Sequence, residues 1–490
     1  MLDRKKILDM LEKFPIPQNM LQRGMVGLQS FIKPIEIVLT QRKIPDFGWS
    51  DSQIRFFLDF LANLDSSNDP DVIRIGEREA RISTPLLYEL TAGFMHGVGR
   101  SGNLKGAQPK AVGGSLLNSL SDTFALYILK KCGLKSIKGA IVVPMSTGMT
   151  IMLVIRGIMR QFTDLKKKTD IIFPRMDHTS PLKAIELAGL ECTTIESIYG
   201  EELLHHSQIL KQNTSGTDFM DFINTHGVDG VYVPIQDIKD AITDSTFGIL
   251  STTSFFPPRA PDQITEIAKL AKEYNIAHIV NNGYGVQSPT FMNMIQTAMM
   301  EGRVDAIIQS TDKNFLTPIG GAIMASPNPD IIKKTAESYA GRANAAPIVH
   351  FVVSMLSMGI KGYSAELVKQ KENRSLLEIE LKKLAENIKE QVLNVKNPVA
   401  CIMTLKHLTE HQISSLGGYL YNLRVTGPRV VNPKVGHFGA SIQNYPYPYI
   451  VMNAAIGARK KDIQVAVAKL GIAYDQVQNK ITQEMKNKYI

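Results

Sequence analysis

The chain has 490 residues, 44% of them hydrophobic and 21% charged, a balance that excludes global disorder. Its 36 glycines and 24 prolines are scattered, which excludes a collagenous or low-complexity chain. The 55 Lys+Arg against 46 Asp+Glu leave a net charge of +9, a weak pointer to a polyanionic partner.

At about 100–200 residues per domain, the length predicts two to four domains or one large α/β unit with appendages. Three cysteines, Cys132, Cys192 and Cys401, stand far apart with no CxxC pair. A disulfide framework and a cysteine zinc site are therefore not expected, and free thiols fit a reducing compartment. The opening MLDRKKILDMLEKF mixes acids and bases without the apolar core of a signal peptide. No apolar run reaches about 18 residues, and MTIMLVIRGIM is cut by Arg156. A cytoplasmic protein is expected.

Residues 1–70 read as helices broken by prolines. Ser50 is a natural N-cap for DSQIRFFLDFLANL, where Ile54, Phe57, Leu58 and Leu61 recur at helical spacing. Further on, short β-branched runs alternate with helical patterns. AIVVPM (140–145), TDIIFP (169–174), FGILSTTS (247–254), IAHIVNN (276–282), DAIIQS (305–310) and GGAIMAS (320–326) are the strands. Apolar strands alternating with helices predict a mostly parallel sheet covered on both faces. The stretch 193–245 contains HSQILKQNTSGTD, polar and turn-rich, which reads as a surface insertion. After Pro347 a long charged helix is expected over 362–393, then a small α/β segment opening at ACIMTL (400–405) and a basic helix from about 460.

Four segments carry chemistry. DAIIQSTDKNF puts Lys313 just past a strand, where α/β sheets gather their ligands. A partly desolvated lysine there can form a Schiff base, although a solvated loop lysine is the commoner outcome. HIVNNGYG ends another strand at Asn281. In pyridoxal-phosphate enzymes of the aspartate-aminotransferase type an Asp at such a place pairs with the pyridinium nitrogen, and a neutral amide stabilises a protonated pyridine less. A plain strand-to-turn transition explains Asn-Asn-Gly equally well. PMSTGMT (144–150) offers backbone amides and hydroxyls at a helix N-terminus, which suit a phosphate or make an ordinary cap. Finally, HGVGRSGNLKGAQPKAVGGS (96–115) holds six glycines, with Arg100, Lys105 and Lys110 between them. Glycines admit close backbone approach and arginine offers a fork to phosphate oxygens, but the spacing matches neither nucleotide-binding fingerprint. HExxH, GxSxG and metal-ligand spacings are absent, so no metal is expected.

Taken in order, GEREAR, HGVGRSG, QPKA, GGSLLN, VVPMSTGM, STTSFFPPRAPD, HIVNNGYGVQS, QSTDKNF, GGAI and GRANAAP resemble one family, the O-phosphoseryl-tRNA(Sec) selenium transferases of archaea and eukaryotes. The strings run from about residue 45 to about 345, and the weaker VTGPRVV reaches further. The resemblance implies the α/β fold of type I pyridoxal-phosphate enzymes, with a mostly parallel central sheet. It implies a helical N-terminal extension (1–70), a large cofactor-binding domain (71–345), and a long helix with a small C-terminal domain (346–490).

It also implies roles. Lys313 would be the Schiff-base lysine. Arg78 and the Ser146–Thr147–Gly148 turn would hold the cofactor phosphate, Asn281 would face the pyridine nitrogen, and His178 would lie against the ring. Arg100, Ser101, Gln108 and Arg342 would bind the substrate phosphoryl group, while Glu77 would repel a free carboxylate. The partners implied are tRNA(Sec) charged with phosphoserine, selenophosphate, and further copies in a homotetramer built from two dimers. The rival readings are another type I lyase or decarboxylase acting on a small phosphorylated amine, and a tRNA-binding protein that has lost its chemistry.

Overall fold

The computed structural model describes residues 9–203, 216–434 and 438–488. Its strands are β1 (Gly139–Val143), β2 (Asp170–Pro174), β3 (Glu191–Ile195), β4 (Ile198–Tyr199), β5 (Val231–Tyr232), β6 (Thr246–Thr252), β7 (Ala277–Asn281), β8 (Ala306–Ser310), β9 (Ala322–Ser326), β10 (Ala400–Thr404), β11 (Arg429–Val431) and β12 (Tyr449–Asn453). Seven of them form the large sheet in the order β1-β9-β8-β7-β6-β2-β3. All its neighbours pair in parallel except those of β9, which runs antiparallel to both β8 and β1. Every residue of β6, β7, β8 and β9 is buried, which is why these runs are continuously apolar rather than alternating. The fold is that of type I pyridoxal-phosphate enzymes, as the resemblance implies.

One core joins this sheet to the N-terminal region. Ile35 and Phe57 pack in the same cluster as Phe124, Phe173 and Phe351. The helix Asp51–Ala62 starts at Ser50 with a complete capping box, Ser50 and Gln53 each accepting from the other's backbone N–H. A second core gathers Leu377, Met403, Leu416 and Leu470 around the antiparallel sheet β10-β12-β11.

The helix Ala346–Asn387 runs through both cores; it has Pro347, tolerated in the first turn, and joins the expected charged stretch from 362 in one helix that ends at Asn387 rather than 393. It bends at Gly359 (φ 62°, ψ 178°), where a Cβ would stand 2.5 Å from the Phe47 carbonyl carbon. This helix is long and apolar enough to cross a membrane by length and composition. Ile348, Phe351, Val352 and Leu356 on it are nevertheless buried against protein.

Within 193–245, residues 204–215, which hold most of the expected insertion HSQILKQNTSGTD, lie outside the described residues. The flanks are built into the fold: β4 pairs with β5, Ile223 and Val231 are fully buried, and the Tyr232 hydroxyl donates to the Gly227 carbonyl at 2.6 Å. Polar composition hid these few large apolar anchors.

Candidate active site

The carboxyl ends of β2, β6, β7 and β8 and the helix following β1 converge on one cavity of about 250 Å³. Thr147, Gly148, His178, Asn281, Gln287 and Lys313 line it, with Ile151, Met176, Phe255, Phe256 and Tyr284 as apolar walls. Val399, Asn453, Ala455 and Ile456 from the C-terminal part close it. A concave, mostly apolar pocket with few convergent polar groups is the usual form of a cofactor site.

Each polar group is held by its neighbours. Lys313 sits on the single turn Thr311–Asn314 that leaves β8. The Asn314 amide donates to the carbonyls of Gly283 and Ser310, both at 2.8 Å. Gln287 spans the cavity edge: its Nε2 donates to the Lys313 carbonyl at 2.8 Å and its Oε1 accepts from Ile456 N–H at 2.7 Å. His178 stands edge-on to Phe255, ring centroids 5.6 Å apart. Burial first, then the positive charges of Lys313 and Arg429, hold its pKa below the ordinary imidazole value, so it faces the cavity neutral. Asn281 is the last residue of β7 and its Oδ1 accepts from Gly283 N–H at 3.3 Å. Gly148 leaves no room for a side chain, since a Cβ would stand 2.2 Å from Ser180 Oγ. Just outside, Asp177 pairs with Arg175 at 2.9 Å and accepts from the Gly439 and Ser441 amides at 2.7 and 2.8 Å, tying the C-terminal part to the cavity rim.

A second, cationic cluster lies on the same chain. Gly97, Gly99 and Gly102 take positive φ, and Arg100 and Asn103 exchange both backbone hydrogen bonds at 2.9 Å, closing a tight turn with Ser101 at its exposed tip. Arg342 donates to the His96 carbonyl and its buried Nε has no partner. Burial, then Arg78 nearby, hold its pKa below the ordinary guanidinium value, partly offset by Asp65. A half-buried guanidinium with a spare donor and a second arginine nearby suits an anion. The two loop lysines are already engaged, Lys105 with Asp122 at 2.8 Å and Lys110 with Glu79, so the phosphate chemistry read into them falls to the arginines.

Of the residues singled out from the sequence, Thr147, Gly148, His178, Asn281 and Lys313 meet at the cavity. Ser146 is the exposed N-cap of the helix Thr147–Gln161 and does not line it. Glu77, Arg78, Arg100, Ser101, Gln108 and Arg342 do not line it either. Arg78, expected at the cofactor phosphate, stands instead beside Arg342 within one chain. Sequence reasoning missed Gln287, Phe255 and Asn453; nothing in their type or spacing announces a site.

The family model for O-phosphoseryl-tRNA(Sec) selenium transferase, SepSecS, matches residues 64–211 and 202–475. The chain belongs to the O-phosphoseryl-tRNA(Sec) selenium transferase family. It is 40% identical over 463 residues to the selenium transferase of Methanococcus maripaludis, covering 93% of this chain and 97% of that one. It is 32% identical over 495 residues to that of Dictyostelium discoideum, covering 94% and 97%. The crystal structure of an archaeal O-phosphoseryl-tRNA(Sec) selenium transferase superposes with a TM-score of 0.83 at 38% identity, over 93% of this chain and 98% of that one. The sphingosine-1-phosphate lyase of Burkholderia pseudomallei, at 12% identity and a TM-score of 0.56, shares the fold alone.

The cavity of this family member fits pyridoxal phosphate. A lysine opens onto it, an amide closes the strand end beneath it, a neutral imidazole flanks it, and a glycine turn at a helix N-terminus gives a phosphate its backbone donors.

Proposed function

We propose that this protein converts O-phosphoseryl-tRNA(Sec) to selenocysteinyl-tRNA(Sec), with pyridoxal phosphate as cofactor and selenophosphate as selenium donor. The observation that carries the reading is Lys313, presented by the turn after β8 at the cavity's open side in a chain that matches this family over nearly its whole length. When bound, the cofactor supplies an electron sink that acidifies the α-proton of an amino acid. Lys313 binds the cofactor, and its Nζ takes the Cα proton and later returns one. His178 and Asn281 orient the ring, and the Thr147–Gly148 turn holds its phosphate. Val399 and Ile456 help to exclude water.

Arg100, Ser101, Gln108 and Arg342 hold the substrate's phosphoryl group, which carries roughly −1.5 to −2 charge at neutral pH. Plain serine is thereby rejected. Glu77 opposes a free carboxylate and so favours the ester of a tRNA.

The anion cluster and the Lys313 cavity are separate on one chain, which supports a shared site in a homo-oligomer, with the arginines and Arg78 serving a second copy. Large exposed apolar residues on the same side of the sequence fit that arrangement: Ile73 is 86%, Ile75 91% and Leu90 68% exposed. A tetramer of two dimers in the cytoplasm follows from the family reading, as does the division at about 70 and 345. The tRNA backbone would meet the basic ends, +3 over residues 1–50 and +4 over 454–490.

The test is turnover of phosphoseryl-tRNA(Sec) against free phosphoserine, each with selenophosphate. Selenocysteine should appear on the tRNA, and Glu77→Gln should raise the free-phosphoserine rate relative to it. Turnover of the small substrate alone would identify a different lyase.

A further inference from the structure

The turn that carries Arg100 and Ser101 is not free-standing. Leu104 is 1% exposed, its N–H bonded to the Ala336 carbonyl at 3.0 Å and its carbonyl to Asn118 Nδ2 at 2.9 Å. One residue on, Lys105 Nζ reaches Asp122 Oδ2 at 2.8 Å. Asn118 and Asp122 are one turn apart on the helix Val112–Lys131, so they present one face to the loop. The other oxygen of Asp122 accepts from Val142 N–H of β1 at 3.2 Å, four residues before the Ser146 cap. Asp122 is 7% exposed, and Lys105 is the cation among the described residues that pairs with it.

We infer that Lys105 and Asp122 are a positioning pair for the anion loop: they fix the Arg100–Asn103 turn against β1, and Lys105 does not itself bind the phosphate. This rests on the proposed role of that turn in holding the phosphoryl group. A surface lysine with a buried carboxylate under it has a reason to stay where it is. Burial penalises the Asp122 charge and Lys105 relieves it, so moving the ammonium to a ligand would strand the carboxylate. The guanidinium of Arg100, exposed and without an ion pair among the described residues, has no such obligation.

The pair is tested by calorimetric binding of inorganic phosphate to the cofactor-loaded protein. The variants are Lys105→Met, Asp122→Asn, the double variant and Lys105→Arg. If the pair positions the turn, each of the first two weakens phosphate binding about tenfold, since small misplacements of a binding group are expensive. The double variant is no worse than either, because a broken pair cannot be broken twice. Lys105→Arg, which still reaches Asp122, restores most of the affinity, and the visible absorption of the lysine-bound cofactor is unchanged throughout.

The inference is overturned if Asp122→Asn binds phosphate as well as or better than wild type while Lys105→Met does not, since Lys105 would then be a direct ligand. It is equally overturned if neither substitution matters or if their effects multiply. If Asp122→Asn fails to fold, Lys105→Met against Lys105→Arg decides. Phosphate binding by the wild type without turnover of phosphoseryl-tRNA would sink the functional reading and leave the pair standing.

Discussion

Gln287 is the clearest single link between the lysine turn and the C-terminal part. Its side chain bonds the Lys313 carbonyl at 2.8 Å and the Ile456 N–H at 2.7 Å, and the residue is 5% exposed. Gln287→Ala removes both bonds and strands the buried Ile456 N–H and the half-buried Lys313 carbonyl. A buried group left without its partner costs about 1–3 kcal/mol, which applies in full to the Ile456 N–H, while the half-buried Lys313 carbonyl, which water can reach, adds less. Because one stranded group belongs to the lysine turn, part of that loss falls on cofactor binding, at a factor of ten for every ~1.4 kcal/mol. The assays are thermal unfolding of the cofactor-loaded protein and the rate at which it loses the cofactor on dialysis. A lower Tm together with faster cofactor loss is expected. Gln287→Met, which fills the space without the bonds, should behave nearly as badly. Wild-type Tm and wild-type cofactor retention in both variants would refute the reasoning, because water would then replace those bonds freely.

Gly148→Ala should weaken cofactor retention at least tenfold, because its Cβ would stand 2.2 Å from Ser180 Oγ. Adding Ser180→Ala removes that atom and should restore much of the loss; no rescue would mean the backbone, not the hydroxyl, is the obstacle. His278 is fully buried between Ser251 Oγ at 2.7 Å and the Arg303 carbonyl at 3.0 Å, and burial pushes its pKa down to about 4. The unfolded chain then binds the proton more tightly between about pH 6.5 and 4, so stability is full above that window and falls as pH drops through it. Over about 2.5 pH units the loss is about 3 kcal/mol. Denaturant titrations at several pH values should show this slope flattened in His278→Asn, though not abolished, because buried His226 is pushed the same way. An unchanged slope would refute the assignment.

The sheet and its handful of strand-end residues were legible in the sequence because their causes are local. Continuous Val/Ile runs such as AIIQS are what a strand buried on both faces requires, and Lys313, His178 and Asn281 follow such runs directly. The cavity's other half was not legible. Gln287, Phe255 and Asn397 act through contacts across more than a hundred residues, as when Asn397 Nδ2 donates to the Phe255 carbonyl at 2.9 Å and the Tyr284 hydroxyl at 3.0 Å. Nothing in an Asn or a Gln in isolation foretells that. The basic loop shows the opposite error. Composition suggested three cations for a phosphate, yet two of them hold the loop in place, because Asp122 and Glu79, distant in sequence, fold back beneath it. Family strings, not spacing, singled out Arg78 and Arg342, and the structure then set the two side by side rather than at the lysine cavity.

The central claim is that Lys313 moves the Cα proton of a phosphoseryl ester held by the arginine cluster. It is tested most directly by measuring phosphate release and selenium incorporation on phosphoseryl-tRNA(Sec), in wild type and in Lys313→Ala loaded with pyridoxal phosphate. Wild type should release two phosphates for each selenium incorporated, one from the phosphoseryl group and one from selenophosphate as water takes up its phosphoryl group. Lys313→Ala should release no phosphate from the phosphoseryl group and incorporate no selenium while still binding the tRNA. Phosphate release at an undiminished rate by Lys313→Ala would contradict the account.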